Sequence, residues 1–311
     1  MNLGNANTEP FYRFHRFHEE FSRNMRIAFG ALEALRESSR SDPASTQKLV
    51  ALPTGGEPWG VVTKWRDISG AISDSARFLS QIALVRVVSA FEDFLVNVEA
   101  EHERHLRRLD PKYQSAPQRE MSETSRMESV CKRLGGDARP LAPLLPIFRY
   151  FVGARNCIAH RSGRASEELI SITHEPEFQA AVAEYRTRRG AKLPAFPELD
   201  LHREIKFLPR HSILASDVFY RAAQHINALL LSNLGADGMV YMAAHHGLLS
   251  DDRVSSEAYR SPTHIVNYML YSRYRVTDGD FNESTAVLKS MNKWDHCRRR
   301  YRQLFPTVAE E

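Results

Sequence analysis

Apolar residues recur at helical spacing from near the start of the chain. Phe11, Phe14, His18, Phe21, Met25, Phe29 and Leu32 share one side of a helix, with Arg13, Arg16, Glu19, Glu20 and Arg23 between them. This period predicts an amphipathic helix over 9–37. Its aromatic and basic mixture suits either RNA contact or core packing with solvated charges, and packing is the commoner use of such a stripe. From Glu37 to Arg66 the residues shift to Ser, Pro, Gly and Thr, which predicts a long loop with a short hairpin at GVVTKW. Residues 68–108 resume the helical period with a core stripe of Leu84, Val88, Phe91, Leu95 and Val98. A further helix at 119–134 stops at Gly135-Gly136.

Three prolines, Pro140, Pro143 and Pro146, suit a helix entry better than a helix interior, so the next helix starts between 141 and 146 and stops at Gly163. Residues 165–210 lose the helical period. Short alternating runs there, ELISIT and HREIKFLP, predict an irregular insertion or a small strand pair. Periodicity returns at 212–234, with an Asp near the start and a Gly at the end. Beyond Gly235 the chain reads as short helices at GMVYMAAHHGLL, SPTHIVNYMLYSRY and NESTAVLKSMNKWDHCRRRYRQLF. The expected class is all-α. Its segments are an N-terminal helix and loop (1–67), a helical domain with an insertion at 165–210 (68–234), and a helical C-terminal region (235–311).

Composition narrows the function classes. A 42% hydrophobic content over 311 residues supports a core without staples. The three cysteines, Cys131, Cys157 and Cys297, are odd in number and lack a CxxC pair, which argues against a disulfide framework or zinc ribbon. No secretory leader or membrane-length apolar run is read, so a soluble cytoplasmic protein is expected. His245-His246 and His296-Cys297 are adjacent pairs whose side chains diverge on a helix, so no metal is expected. Neither Gly-Gly pair has a phosphate-loop context, and no cofactor is expected.

The net charge of +4 is small for this length, and its distribution says more. Between Leu141 and Arg164 lie Arg149, Arg155, Arg161 and Arg164 without one Asp or Glu. A second basic cluster, CRRRYRQLF, lies near the C-terminus and suits an RNA backbone or a solvated helix end. The stretch FVGARNCIAHRSGR sits in the first of these. At 100° per residue Leu144, Phe148, Phe151, Val152 and Ile158 cluster on one side and Arg155 falls among them. A guanidinium there needs a carboxylate, and Glu92, on the edge of the Leu84/Val88/Phe91/Leu95 stripe, is the candidate. Asn156 and His160 share another face with Arg149. Imidazole, amide and guanidinium together can move a proton, orient a hydroxyl or phosphate, and stabilise a charged phosphorane. One imidazole supplies only one side of such a reaction, whereas a two-fold dimer brings two.

These residues carry a resemblance. RNCIAH resembles the R-x4-6-H motif of the HEPN superfamily (higher eukaryotes and prokaryotes nucleotide-binding), in the form with Asn directly after Arg. The upstream ALVRVVSAFEDFLVNV resembles that family's acidic core helix. The likeness covers roughly residues 68–234. It implies an all-α bundle that dimerises along the motif helices and, in many members, a metal-independent endoribonuclease of toxin–antitoxin or anti-phage systems. Carried over, His160 is the acid/base residue, Arg155 the cation, Asn156 the orienting amide and Glu92 the acidic support. Products are then a 2′,3′-cyclic phosphate and a 5′-hydroxyl. Arg149, Arg161 and Arg164 are the expected RNA contacts, and the expected partners are RNA, a second copy, and an antitoxin or defence protein. Ser162 stands where one AMPylated toxin branch has Tyr, so that control is not implied. The rival expectation is a non-catalytic module that binds nucleotide, RNA or a protein partner.

Overall fold

The computed structural model describes residues 1–46, 67–114, 123–186, 190, 193, 195–251, 261–279 and 282–306. The fold is all-α. Among these residues no β-strand forms; Asn2 with Thr277 and Arg164 with Glu204 pair as isolated bridges.

Local signals set most helix boundaries. Helix α1 (Glu9–Ser41) opens where the Thr8 hydroxyl accepts the Phe11 amide at 3.4 Å. Helix α2 (Ile68–Leu109) opens where the Asp67 carboxylate accepts the Gly70 amide at 2.9 Å. Helix α3 spans Glu123–Arg133, and after a 3-10 turn at Arg139–Leu141 comes α4 (Leu145–Arg161). Helices α5 (Glu167–His174) and α6 (Pro176–Glu184) follow at once. Helix α7 (Pro209–Ala244) is broken at Gly235, whose φ is 59°. A π-helical turn at His245–Leu249, then α8 (Pro262–Asn267) with a second π turn at Tyr268–Arg273, leads to α9 (Glu283–Ser290) and α10 (Trp294–Leu304).

Two sequence expectations are corrected. ELISIT is not a strand: it is α5, and with α6 it makes the first part of the expected insertion helical, while residues 195–208 are irregular as expected. The loop expected from Glu37 begins later, because α1 continues to Ser41, steadied by Arg36–Glu33 and Arg40–Glu37 pairs one turn apart. The hairpin expected at GVVTKW, and residues 119–122 of the expected helix, lie outside the described residues.

The chain divides into two compact units, each assembled from separate stretches. The first comprises Met1–Arg16, Phe91–Leu141 and Arg221–Glu311, and the second Phe17–Ala90 and Ala142–Tyr220. In the first, the Phe14, Phe91 and Phe94 rings pack with centroids 5.3–5.9 Å apart. Buried Glu9 is held by Arg273, whose Nε and NH2 donate at 2.7 and 2.6 Å, by Arg13 at 2.7 Å and by the Tyr274 hydroxyl at 2.9 Å. In the second, Phe148 packs on Phe219 at 4.5 Å and His18 stacks on Tyr220 at 4.4 Å. His211 is fixed as a neutral ring, accepting the Leu208 amide at Nδ1 and donating from Nε2 to the Ala195 carbonyl. The predicted stripe of Leu84, Val88, Phe91, Leu95 and Val98 is fully buried.

Candidate functional site

Helix α4, within the second unit, starts without a side-chain cap, and Pro146 occupies its first turn. A proline costs little there, since its missing N–H would have no partner in the helix. Through three turns the helix is enclosed: Ile147, Phe148, Tyr150, Phe151, Ala154 and Cys157 are all buried. Of the expected apolar cluster, Leu144, Phe148, Phe151 and Val152 are buried and Ile158 is half-buried. Tyr150, Phe151 and Phe178 close around Phe196 at 4.8–5.9 Å, joining α4 to α6 and to the extended chain before α7.

Arg149, Gly153, Asn156 and His160 lie along one side of α4, at steps of four, three and four residues. The α5–α6 pair covers the first half of this line. A Cβ on Gly153 would lie 3.2 Å from Leu169 Cδ1 and 3.8 Å from Ile172 Cδ1, so the absence of a side chain lets α5 approach. Arg149 donates from NH1 and NH2 to the Glu175 carboxylate, at 2.9 and 3.2 Å, just after α5 ends. The second half is open. Asn156, Ala159 and His160 are exposed, and among the described residues no hydrogen bond holds the Asn156 or His160 side chain.

The end of α4 is pinned. Ser162 (φ 52°) and Gly163 (φ 76°) both turn left-handed, and the Gly163 amide donates to the Cys157 carbonyl at 3.0 Å. The chain then pairs with residues 202–205: Ile205 N–H to Gly163 O at 2.9 Å, Ala165 N–H to Arg203 O at 2.9 Å, and His202 N–H to Ala165 O at 3.1 Å. Glu204 of this pairing meets Arg77 Nε at 3.0 Å on α2. His160 therefore stands in the last turn of a helix whose end is tied down. Arg161 and Arg164 flank it, exposed, with no carboxylate in ion-pair reach among the described residues.

Arg155 is half-buried rather than enclosed, and burial pulls its proton affinity down. Its Nε is buried, while the residue as a whole keeps part of its surface exposed. Glu92 is half-buried on α2, within the first unit, whereas Arg155 belongs to the second. Glu99, on the same edge of α2, is engaged by Arg126 and Arg133 of α3.

Of the sequence-predicted residues, α4 thus carries Asn156, His160 and Arg161 exposed in its last two turns, with exposed Arg164 in the chain just beyond, and places Arg149 in an ion pair further along. Glu175 and the cover over Gly153 were missed. Their signal was Ser166, whose hydroxyl caps α5 by accepting the Leu169 amide, followed by Glu167 and Glu168 in the first turn. His246 donates to Glu101 at 2.8 Å, with Arg104 on the same carboxylate. Among the described residues no three His, Cys, Asp or Glu side chains are grouped to hold a metal ion, and no helix is long and apolar enough to cross a membrane. Cys131, Cys157 and Cys297 are free and buried. Comparison of the chain with protein families, with curated proteins and with solved structures finds no match.

Proposed function

We propose that the chain is a metal-independent endoribonuclease of HEPN type, acting on RNA at a cleft formed by two copies along their α4 helices. The observation that carries this reading is the exposed pair Asn156 and His160, one turn apart at the pinned end of α4, flanked by exposed Arg161 and Arg164. In a two-fold dimer the two His160 rings supply the base that takes the 2′-hydroxyl proton and the acid that protonates the 5′-oxygen leaving group. Asn156 orients the attacking hydroxyl or the phosphate, and Arg155 stabilises the charge on the phosphorane. Arg161 and Arg164 bind the flanking phosphates, and Arg149 joins them when released by Glu175. A cytoplasmic toxin or anti-phage role, with an antitoxin or defence partner, belongs to the same reading.

The test is incubation of the purified chain with total RNA in EDTA. Cleavage with 2′,3′-cyclic phosphate ends, lost in His160→Ala, is the expected result. Cleavage that is unchanged in that variant removes the site, and full activity from a monomer removes the shared cleft. RNA binding without cleavage favours the second reading, a non-catalytic RNA- or nucleotide-binding module, for which the ion-paired state of Arg149 is the supporting observation.

A further inference from the structure

A cavity of about 790 Å³ opens in the first unit, lined by Arg104, Arg107 and Arg108 of α2, Lys293 before α10, Tyr241 of α7 and one acid, Glu103. Two of the four cations already have acids: Arg104 is on Glu101, and Arg107 NH2 is 3.6 Å from Glu103. The other two have none in ion-pair reach among the described residues. Arg108 is surrounded by neutral groups instead. Its NH2 is 3.3 Å from His105 Nδ1, its NH1 3.6 Å from Met291 Sδ, and its guanidinium 5.9 Å from the centre of the Tyr241 ring. Its Nε is buried without a hydrogen-bond partner.

A half-buried guanidinium without a carboxylate is costly, and an anion entering the cavity would relieve that cost. Burial is the main cause that pushes the His105 and His245 imidazoles down to about 4, and Arg108 and Arg104 respectively add to it. The cations converge on one bounded volume rather than forming a track along which a strand could run. The volume is that of a small-molecule site and exceeds what phosphate alone would fill. Tyr241 and Met291 add an aromatic and an apolar wall.

We propose that this cavity binds a polyphosphate ester of the nucleoside di- or triphosphate class. Its phosphates lie between Arg108, Arg107 and Lys293, and its ring rests against Tyr241 and Met291. The proposal does not rest on the reading of the α4 face.

The experiment is isothermal titration calorimetry of the full chain with ATP, ADP, adenosine and inorganic tripolyphosphate, with a short RNA as competitor. ATP is expected to bind with a Kd of about 100 µM or tighter and adenosine at least about tenfold more weakly. Lys293→Glu and Arg108→Gln are each expected to weaken ATP by about tenfold or more. Tyr241→Leu should weaken ATP while leaving tripolyphosphate unchanged, which assigns the ring contact. Lys293 is only half-buried, so its variant decides the matter even where Arg108→Gln does not fold. Absence of ATP and tripolyphosphate binding at about 1 mM overturns the proposal, as does affinity unchanged in Lys293→Glu. Binding of RNA alone, lost in Lys293→Glu, also overturns it by giving the cavity to a strand.

Discussion

Arg149 and Glu175 meet as a two-pronged ion pair, NH1 at 2.9 Å and NH2 at 3.2 Å. The pair marks where the line Arg149–Gly153–Asn156–His160 passes from covered to open. Being partly exposed to solvent, it contributes little to stability, about 0–1 kcal/mol. Glu175→Gln is therefore expected to leave the melting temperature almost unchanged while releasing a cation beside the site. RNA affinity measured against salt should rise, with the log–log slope steeper by about 0.7 for single strands. An unchanged slope would remove Arg149 from the RNA-contacting set.

Gly153 gives the cover over α4 its closeness. A bare Cβ meets Leu169 Cδ1 at 3.2 Å, a contact a small shift of that side chain can absorb, and alanine also favours the helix by about 1 kcal/mol over glycine. Gly153→Ala should thus be near neutral. Gly153→Leu must displace α5 and is expected to cost about 1–3 kcal/mol in urea unfolding, with Arg149–Glu175 disturbed as well. A leucine tolerated without loss would contradict the packing.

Acid should destabilise the first unit before its carboxylates titrate. His105 and His245 lie at about 4 in the folded chain against an ordinary 6.5, so between those values the unfolded chain binds more protons. Stability is then full above pH 6.5 and is lost as pH falls toward 4. Burial pushes the Glu9 carboxyl up, but its bonds to Arg273 and Arg13 prevail and hold it below 4.5. Burial acts likewise on Glu101, where His246 and Arg104 prevail. These acids lose their contributions only below their ordinary value, which leaves roughly pH 4.5–6.5 to the histidines. Calorimetric melting across that window should fall, and His245→Gln should flatten the fall. A melting temperature that is level or rises on acidification would contradict the buried neutral rings.

Long helices were legible because repetition over many turns makes a stripe: Leu84 to Val98 on α2 and Phe11, Phe14 and Phe21 on α1 are buried as their spacing implied, while His18, Met25, Phe29 and Leu32 of the α1 stripe are half-buried. Helices α5 and α6 were not, for a physical reason. Each has eight or nine residues and buries two hydrophobic side chains, Leu169 with Ile172 and Phe178 with Ala181, too few to distinguish a period of 3.6 from alternation. Their caps were the better guide, Ser166 for one and Pro176 for the other. At the site, the side of α4 holding Asn156 and His160 followed from spacing alone. That Glu175 would reach Arg149 across 26 residues did not, because only the turn between α5 and α6 sets that distance.

The backbone pairing of 163–165 with 202–205 makes the His160 end of α4 a property of two distant stretches of chain. Helix ends ordinarily open first, and their amides exchange with solvent on the scale of local fraying. Here the Ala165, His202 and Ile205 amides each donate to the facing stretch of chain, so they should exchange deuterium together, at a rate set by loss of the whole pairing. The backbone that carries His160 is then steadied by Glu204 and its grip on Arg77, some forty residues downstream and eighty upstream, as well as by the helix that bears it.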